Sequence, residues 1–392
     1  MKDRQTITRK IQLYPIGDKE EVQRVYKFIR DAQYSQYITM NTLMGQIASK
    51  YYECGRDIKN EEFKDRLRNN YHNPLLDDIE YQTGLGTKAL LTHRIQSDFM
   101  NDVKNGLAKG ERAIRNYKRD MPVMTAKTAL KFKHPYSSHT EFLEHLYKQD
   151  LEIYLHWVNK IQFRVVLGNP HRSAELRSVL KNIFEENYLV QQSGIQFDKT
   201  GKKIMINLCL SIPVKEHALK EDTVVGVYFG ETIPAVCGVN NNQYATELIG
   251  SSDELRRMRT KIKAQRSRLQ RALRDAKGGH GRKEKLRALD RVGRHEAHFA
   301  RTYNHMITKR IIDFALQNEA KYIHVEDMDE KENVLLQGSF YMIQQFLEYK
   351  ASLHGIIVQK VKALDVPTEN ETISIKTERD LGKQVALSKD FV

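Results

Sequence analysis

The chain has 392 residues, 40% of them hydrophobic and 29% charged, which is enough for two or three folded domains with a sizeable core. A formal net charge of +14 and a pI of about 9.4 favour a polyanionic partner. No run of about 18 apolar residues is present and the opening MKDRQTITRK lacks the apolar core of a secretory signal, so a cytoplasmic protein meeting nucleic acid is expected, with no membrane partner.

Reading along the chain, Ile7-Thr-Arg-Lys-Ile-Gln-Leu-Tyr14 alternates like a strand and stops at Pro15. Asp18 then opens a helix, with Glu21 completing a capping-box pattern and Val22, Val25, Tyr26 and Ile29 on one face. Helical periodicity continues, with interruptions, to about Arg119. Strand signals return at Ile161-Gln-Phe-Arg-Val-Val-Leu167. A hairpin follows: Ser193-Gly-Ile-Gln-Phe197, a turn over Asp198 to Gly201, then Ile204 to Leu210. From Thr223 the pattern becomes strands, then long helices, then the strand Lys321-Tyr-Ile-His-Val325, a helix from Phe340 to Leu353 and a strand from Ile356 to Val361. That order describes an α/β unit. The tail from Asp365 is polar and weakly patterned.

The charge is concentrated in one block. Between Arg256 and Arg294 stand sixteen Lys or Arg against the three acids Asp275, Glu284 and Asp290, so almost the whole net charge lies there. Two helical runs, Leu255 to Lys277 and Arg282 to about Leu316, are joined by Gly278-Gly-His-Gly281. Met258, Ile262, Leu269 and Leu273 can face inward while the cations face out. Like charges spaced i,i+4 repel, so a solvated helix normally mixes signs. A block this dense reads as a phosphate-contacting surface, with Arg256, Arg259, Lys263, Arg266, Arg271, Arg274, Lys277, Arg282 and Lys283 as its candidate contacts. A second basic stretch supplies Arg112, Arg115, Lys118 and Arg119, with Tyr117 as a stacking platform for a base; the alternative is an amphipathic helix whose tyrosine is core.

Other candidates carry less. Cys54, Cys209 and Cys237 are isolated and form no CxxC pair, so neither a disulfide framework nor a zinc site is expected. His295, His298 and His305 lie on the basic helix and His324 on a strand, in settings that favour solvated or core roles over metal binding.

Several segments together resemble one family. They are Val224-Gly-Val to Gly250, Arg259 to Arg271, Ala276-Lys-Gly-Gly-His-Gly-Arg-Lys283, Tyr303-Asn-His305, Val325-Glu-Asp327, Glu348-Tyr-Lys-Ala351, Gly355-Ile-Ile-Val358 and, in the N-terminal half, Asp102 to Glu111 and Arg112. The chain resembles the miniature type V-F CRISPR effectors and TnpB, which are RNA-guided DNA nucleases. The resemblance implies an α+β multidomain protein. A helical recognition lobe (18–159) would be inserted in a small wedge β-barrel (1–17 with 160–220). A RuvC-like RNase H α/β domain (221–392) would follow, carrying the long basic helical hairpin at 254–316.

It also implies three RuvC acids, and their positions fall here on Tyr228, Glu326 and Asp380. The first is broken. Thr223-Val-Val-Gly-Val-Tyr-Phe-Gly230 carries a tyrosine where the family's strand carries the metal-binding aspartate, and a neutral phenol is a poor ligand for a hard divalent cation. Thr377-Glu-Arg-Asp-Leu-Gly-Lys-Gln-Val-Ala386 holds Asp380 but only part of the family's pattern around the third acid. The family's zinc-binding insertion, expected near 363–378, has no cysteine here. The resemblance with these breaks implies a nuclease-dead, RNA-guided DNA-binding regulator needing a guide RNA and no metal for catalysis. Its partners would be the guide, target double-stranded DNA and, if it activates, a sigma factor or RNA polymerase, with two copies on one guide. It would lie in a bacterial cytoplasm, at the nucleoid. Two alternatives stand beside it: an RNA-guided endonuclease whose metal site is displaced onto Glu231, Glu326 and Asp380, and a nucleic-acid-binding protein with no guide.

Overall fold

The structure is a computed structural model that describes residues 4–107, 109–110, 113–230, 232–275, 279–327, 339–362, 375–389 and 391, without the side chains of 243, 279–280 and 375–378. The chain divides into two compact units, residues 4–213 and 214–392.

The first unit opens with strand β1 (Arg4–Pro15), whose alternation buries Ile11 and Leu13. Helix α1 (Lys19–Glu53) follows at once. Asp18 Oδ1 accepts from Glu20 N and Glu21 N at 2.9 and 2.8 Å while Glu21 Oε2 accepts from Asp18 N at 3.1 Å, which is the capping box the sequence shows. Helices α2 (Glu61–Asn69), α3 (Pro74–Thr83) and α4 (Lys88–Asp102) pack on α1 through Leu43, Ile47, Leu76, Leu91 and Ile95. At the centre the rings of Tyr51, Phe63 and Phe99 meet at 5.4–5.7 Å.

The helical region ends sooner than the periodicity suggests. After a π-type turn at Val103–Leu107 the chain from 113 to 118 is irregular, and 18–159 is not a wholly helical stretch. Strand β2 (Val123–Thr125), β3 (Lys131–Lys133), α5 (His139–His145), β4 (Tyr154–His156), β5 (Gln162–Val166), α6 (Ala174–Phe184), β6 (Leu189–Val190), β7 (Ser193–Phe197) and β8 (Ile204–Pro213) complete the unit. The strands join β1 in one sheet of order β2-β7-β8-β1-β5-β4-β3, with β6 also on β8. β1 lies antiparallel to β8 from Arg4↔Pro213 to Leu13↔Ile204. Short strands of three residues were hidden because two or three alternations do not rise above the background of a loop. Among the described residues no pairing joins β2 to β3, so the sheet has two edges rather than the closure of the expected barrel.

The second unit holds β9 (Lys220–Tyr228), β10 (Ala235–Val239), β11 (Asn242–Ile249), α7 (Ser252–Arg274), α8 (Gly279–Gln317), β12 (Ala320–Glu326), α9 (Phe340–Ser352), β13 (Ile357–Val361) and α10 (Ile375–Leu387). Its sheet has the order β11-β10-β9-β12-β13, with β9, β12 and β13 parallel and β10 and β11 antiparallel. One face, carrying Val225, Val227, Phe229, Ile323 and Val325, packs on α8 and α9 through Ile307, Ile311, Ile343 and Leu347. The other face is covered by α10, which the weak pattern of the tail did not show. A Cβ on Gly226 would overlap Ala386 N and Gly382 O, and one on Gly238 would sit 2.8 Å from Lys383 N. Glycine is required there because helix backbone lies directly on strand backbone.

Candidate nucleic-acid interface and metal position

Period-two alternation turns Gly226 and Tyr228 of β9, and His324 and Glu326 of β12, toward α10. The register pairs Val325 with Val227, so Tyr228 and Glu326 sit one step further on, level with each other on adjacent parallel strands. Glu326 in turn pairs with Val361 of β13. Tyr228, 5% exposed, lies in an apolar cluster with Val361, Leu381 and Val385. Glu326 is 2% exposed, and Asp380, next to Leu381 on α10, is exposed to solvent. The three positions therefore share one corner of the unit, but with one carboxylate buried, one in solvent and a packed phenol between aliphatic side chains.

That arrangement does not fit a divalent metal pair, which wants several carboxylate oxygens converging in a polar pocket. Among the described residues no three His, Cys, Asp or Glu side chains are grouped to hold a metal ion. Glu231 and the expected zinc-module position at 363–374 lie outside the described residues. Asp327 takes a different role: its N–H donates to Val361 O at 2.7 Å and its carboxylate lies 3.8 Å from Lys360 Nζ.

His324 is buried, and burial lowers its pKa; its Nε2 meets Gln359 Oε1 at 3.0 Å. His305 stacks on Phe346 at 3.9 Å, with its pKa lowered by burial and by Lys350. His295 and His298 are exposed on α8. The three cysteines are free, and Cys237 is buried with its thiol pKa pushed up by desolvation.

The basic hairpin is present as read. α7 buries Leu255, Ile262 and Leu273 and half-buries Met258 and Leu269, as its apolar spacing requires. Ser251 accepts from Glu254 N at 3.4 Å as its cap. Arg256, Arg259, Lys263, Arg271, Arg274, Arg282 and Lys283 are exposed, and Lys277 lies outside the described residues. Arg266 departs from the expectation. Its Nη2 pairs with Glu296 of α8, so it ties the two helices together rather than standing ready for a phosphate. Glu296 lies thirty residues away on the partner helix, a pairing that no local pattern reveals. Lys285 Nζ adds a second tie, donating to Ala272 O at 2.9 Å.

The other basic stretch is corrected more strongly. Tyr117 is 8% exposed and its hydroxyl donates to Asp98 Oδ2 at 3.0 Å, so it is a core residue and no platform for a base. Desolvation and the Asp98 charge together raise its pKa. Arg115 donates to Asp98 Oδ1 at 2.6 Å and Asp102 Oδ1 at 3.2 Å, while its backbone N–H reaches Asp102 Oδ2. These buried carboxylates need a cation, which is why Arg115 turns inward. Arg119 and Lys118 remain exposed, with the Arg119 guanidinium 5.1 Å over the ring of Tyr34; Arg112 lies outside the described residues.

No family model matches the chain. It is 23% identical over 266 residues to the CRISPR-associated endodeoxyribonuclease Cas12f1 of Sulfoacidibacillus thermotolerans, covering 65% of this chain and 60% of that protein. A protein of the same name from Syntrophomonas palmitatica is 29% identical over 181 residues, 44% of this chain and 36% of that one. The matched segments thus span less than two thirds of the relatives' own length. A Cas12f1 chain solved by cryo-EM with sgRNA and target DNA superposes with a TM-score of 0.69 at 14% identity, over 100% of both chains. The α+β fold is that of Cas12f1. By sequence the chain is similar to the Cas12f1 endodeoxyribonucleases.

Among the described residues no helix is long and apolar enough to cross a membrane.

Proposed function

We propose that this chain is a nuclease-dead, RNA-guided DNA-binding protein that regulates transcription where its guide pairs with target DNA. The observation that carries this is Tyr228, packed between Val361, Leu381 and Val385 at the position where the family's first strand holds a metal-binding aspartate. Gripping a guide and a heteroduplex needs basic surface and A-form complementarity, not that site, because base pairing reads the sequence. A protein that stays on its target without cutting either occludes a promoter or brings a sigma factor or RNA polymerase to it.

Native purification followed by sequencing of bound RNA and crosslinked DNA tests the reading. It expects one defined structured RNA and DNA sites matching it. A smear of RNA with no matching DNA would favour the reading without a guide. A reporter carrying the matched promoter separates repression from activation, and light scattering on the loaded complex counts the copies per guide. The curated relatives' name, endodeoxyribonuclease, supports a second reading in which Glu326, Asp380 and Glu231 form a displaced site. With guide and Mg²⁺ or Mn²⁺, our reading expects an intact plasmid; cleavage abolished by Glu326→Ala would establish the second.

A further inference from the structure

Of the eight exposed cations of α7, six fall into two rows, with Arg259 outside the first row and Arg271 between the two. At about 100° per residue, Arg256, Lys263 and Arg274 fall in one row, and Arg257, Lys261 and Arg268 in a second row roughly 120° around the helix. All six are exposed. Between the rows runs a line of short side chains, Thr260, Ala264 and Ser267, of which Thr260 and Ala264 are exposed and Ser267 half-exposed. Arg271 closes this line at its C-terminal end, its Nε donating to Ser267 O at 3.4 Å. Leu255, Ile262 and Leu273 are buried on the opposite side of the helix, so the rows and the line between them face away from the core.

We infer that this face of α7 is a recognition surface for the shallow minor groove of an A-form RNA–DNA heteroduplex, a reading that rests on the guide-dependent function proposed above. Two rows of cations on either side of a helix about 10–12 Å across reach the two phosphate ridges that border a groove. What lies between the rows decides which groove. A helix reading the deep major groove of B-form DNA carries long polar side chains on its centre line, because base edges must be reached. Here the centre line is short from Thr260 to Ser267 and carries two hydroxyls, its one long side chain, Arg271, lying at the C-terminal end with its Nε on Ser267 O, so along that stretch only a shallow floor can meet it. The minor groove of an A-form duplex is wide and shallow and displays ribose 2′-hydroxyls, which the Thr260 and Ser267 hydroxyls can hydrogen-bond. Thr260 and Ser267 therefore distinguish a strand of RNA from one of DNA, while the two rows supply affinity that is indifferent to sequence.

The test uses the full chain and labelled duplexes of about 20 base pairs of one sequence, either RNA–DNA or DNA–DNA. The wild type is expected to bind the heteroduplex about tenfold more tightly, in keeping with two hydrogen bonds made to one duplex and not the other. Thr260→Val with Ser267→Ala should remove that preference and leave the salt dependence unchanged. Replacing Arg257, Lys261 and Arg268 by Ala should weaken both duplexes and lower the slope of log Kd against log salt by about 2. Equal binding of the two duplexes by the wild type, or a preference that survives loss of both hydroxyls, overturns the inference while leaving guide-dependent binding standing. Failure to bind any duplex even with a guide overturns both. Circular dichroism of each variant ensures that a lost preference is not a lost fold.

Discussion

At residue 228 the tyrosine is a packing residue. Its ring fills the space between β9, β13 and α10, level with a carboxylate at Glu326 that is already buried. Tyr228→Asp would leave a cavity and set a second acid beside the first in a desolvated corner, at a cost of about 3–5 kcal/mol. We expect its melting temperature to fall by about 10 °C with no plasmid cleavage gained; an unchanged melt accompanied by cutting would show that the site still accepts metal. Arg115 and Tyr117 make the complementary case. The sequence shows two side chains suited to nucleic acid but not that Asp98 and Asp102, on α4, need them. Tyr117→Phe should cost about 1 kcal/mol and Arg115→Ala about 2–4 kcal/mol in urea unfolding, both leaving heteroduplex affinity intact at temperatures where the protein is folded. A specific loss of affinity in a fully folded Tyr117→Phe protein would restore the stacking role.

Elements were legible where a period repeats often enough. α1 and α7 announce themselves through caps and apolar spacing, whereas among its described apolar side chains α10 buries Leu381, Val385 and Ala386 around a glycine, and its reason for being a helix is the sheet beneath it. The joint between α8 and α9 adds to its apolar packing and the His305–Phe346 stack one lysine contact that no spacing shows. Lys350 Nζ donates to His305 O at 2.8 Å and Thr308 Oγ1 at 2.7 Å, and burial brings its pKa down to about 8 from an ordinary 10.5. Between those values the unfolded chain holds a proton that the folded chain has shed, so stability contributed here rises with pH across that window. Urea midpoints of the wild type and Lys350→Met should therefore diverge from pH 8 to pH 10, the wild type gaining. Parallel pH profiles would mean that the amine stays charged when folded.

On the scale of the whole molecule, the resemblance located the α/β unit and picked out Tyr228, Glu326 and Asp380, which share one of its corners, and missed how far the first sheet reaches back into the region between the helices and β5. On the proposed function a guide reads the sequence, so the protein's own acids should matter little for grip. Glu326→Ala is expected to bind target within a few-fold of wild type, and electrophoretic mobility shifts with matched guide and target measure this. A collapse of binding in a folded variant would give that carboxylate a structural or metal-holding role in the complex. The seam at Gly226, Gly238 and Gly382 has a consequence for how the chain is made. All five strands of the second sheet leave the ribosome before α10 does, and α10 is the described element that packs on the face carrying two bare glycines, a tyrosine and a buried glutamate. During synthesis that face lacks its helix and leaves Tyr228 and Val361 in water, and a nascent chain stalled short of residue 375 should be a client for chaperones in a way the finished protein is not.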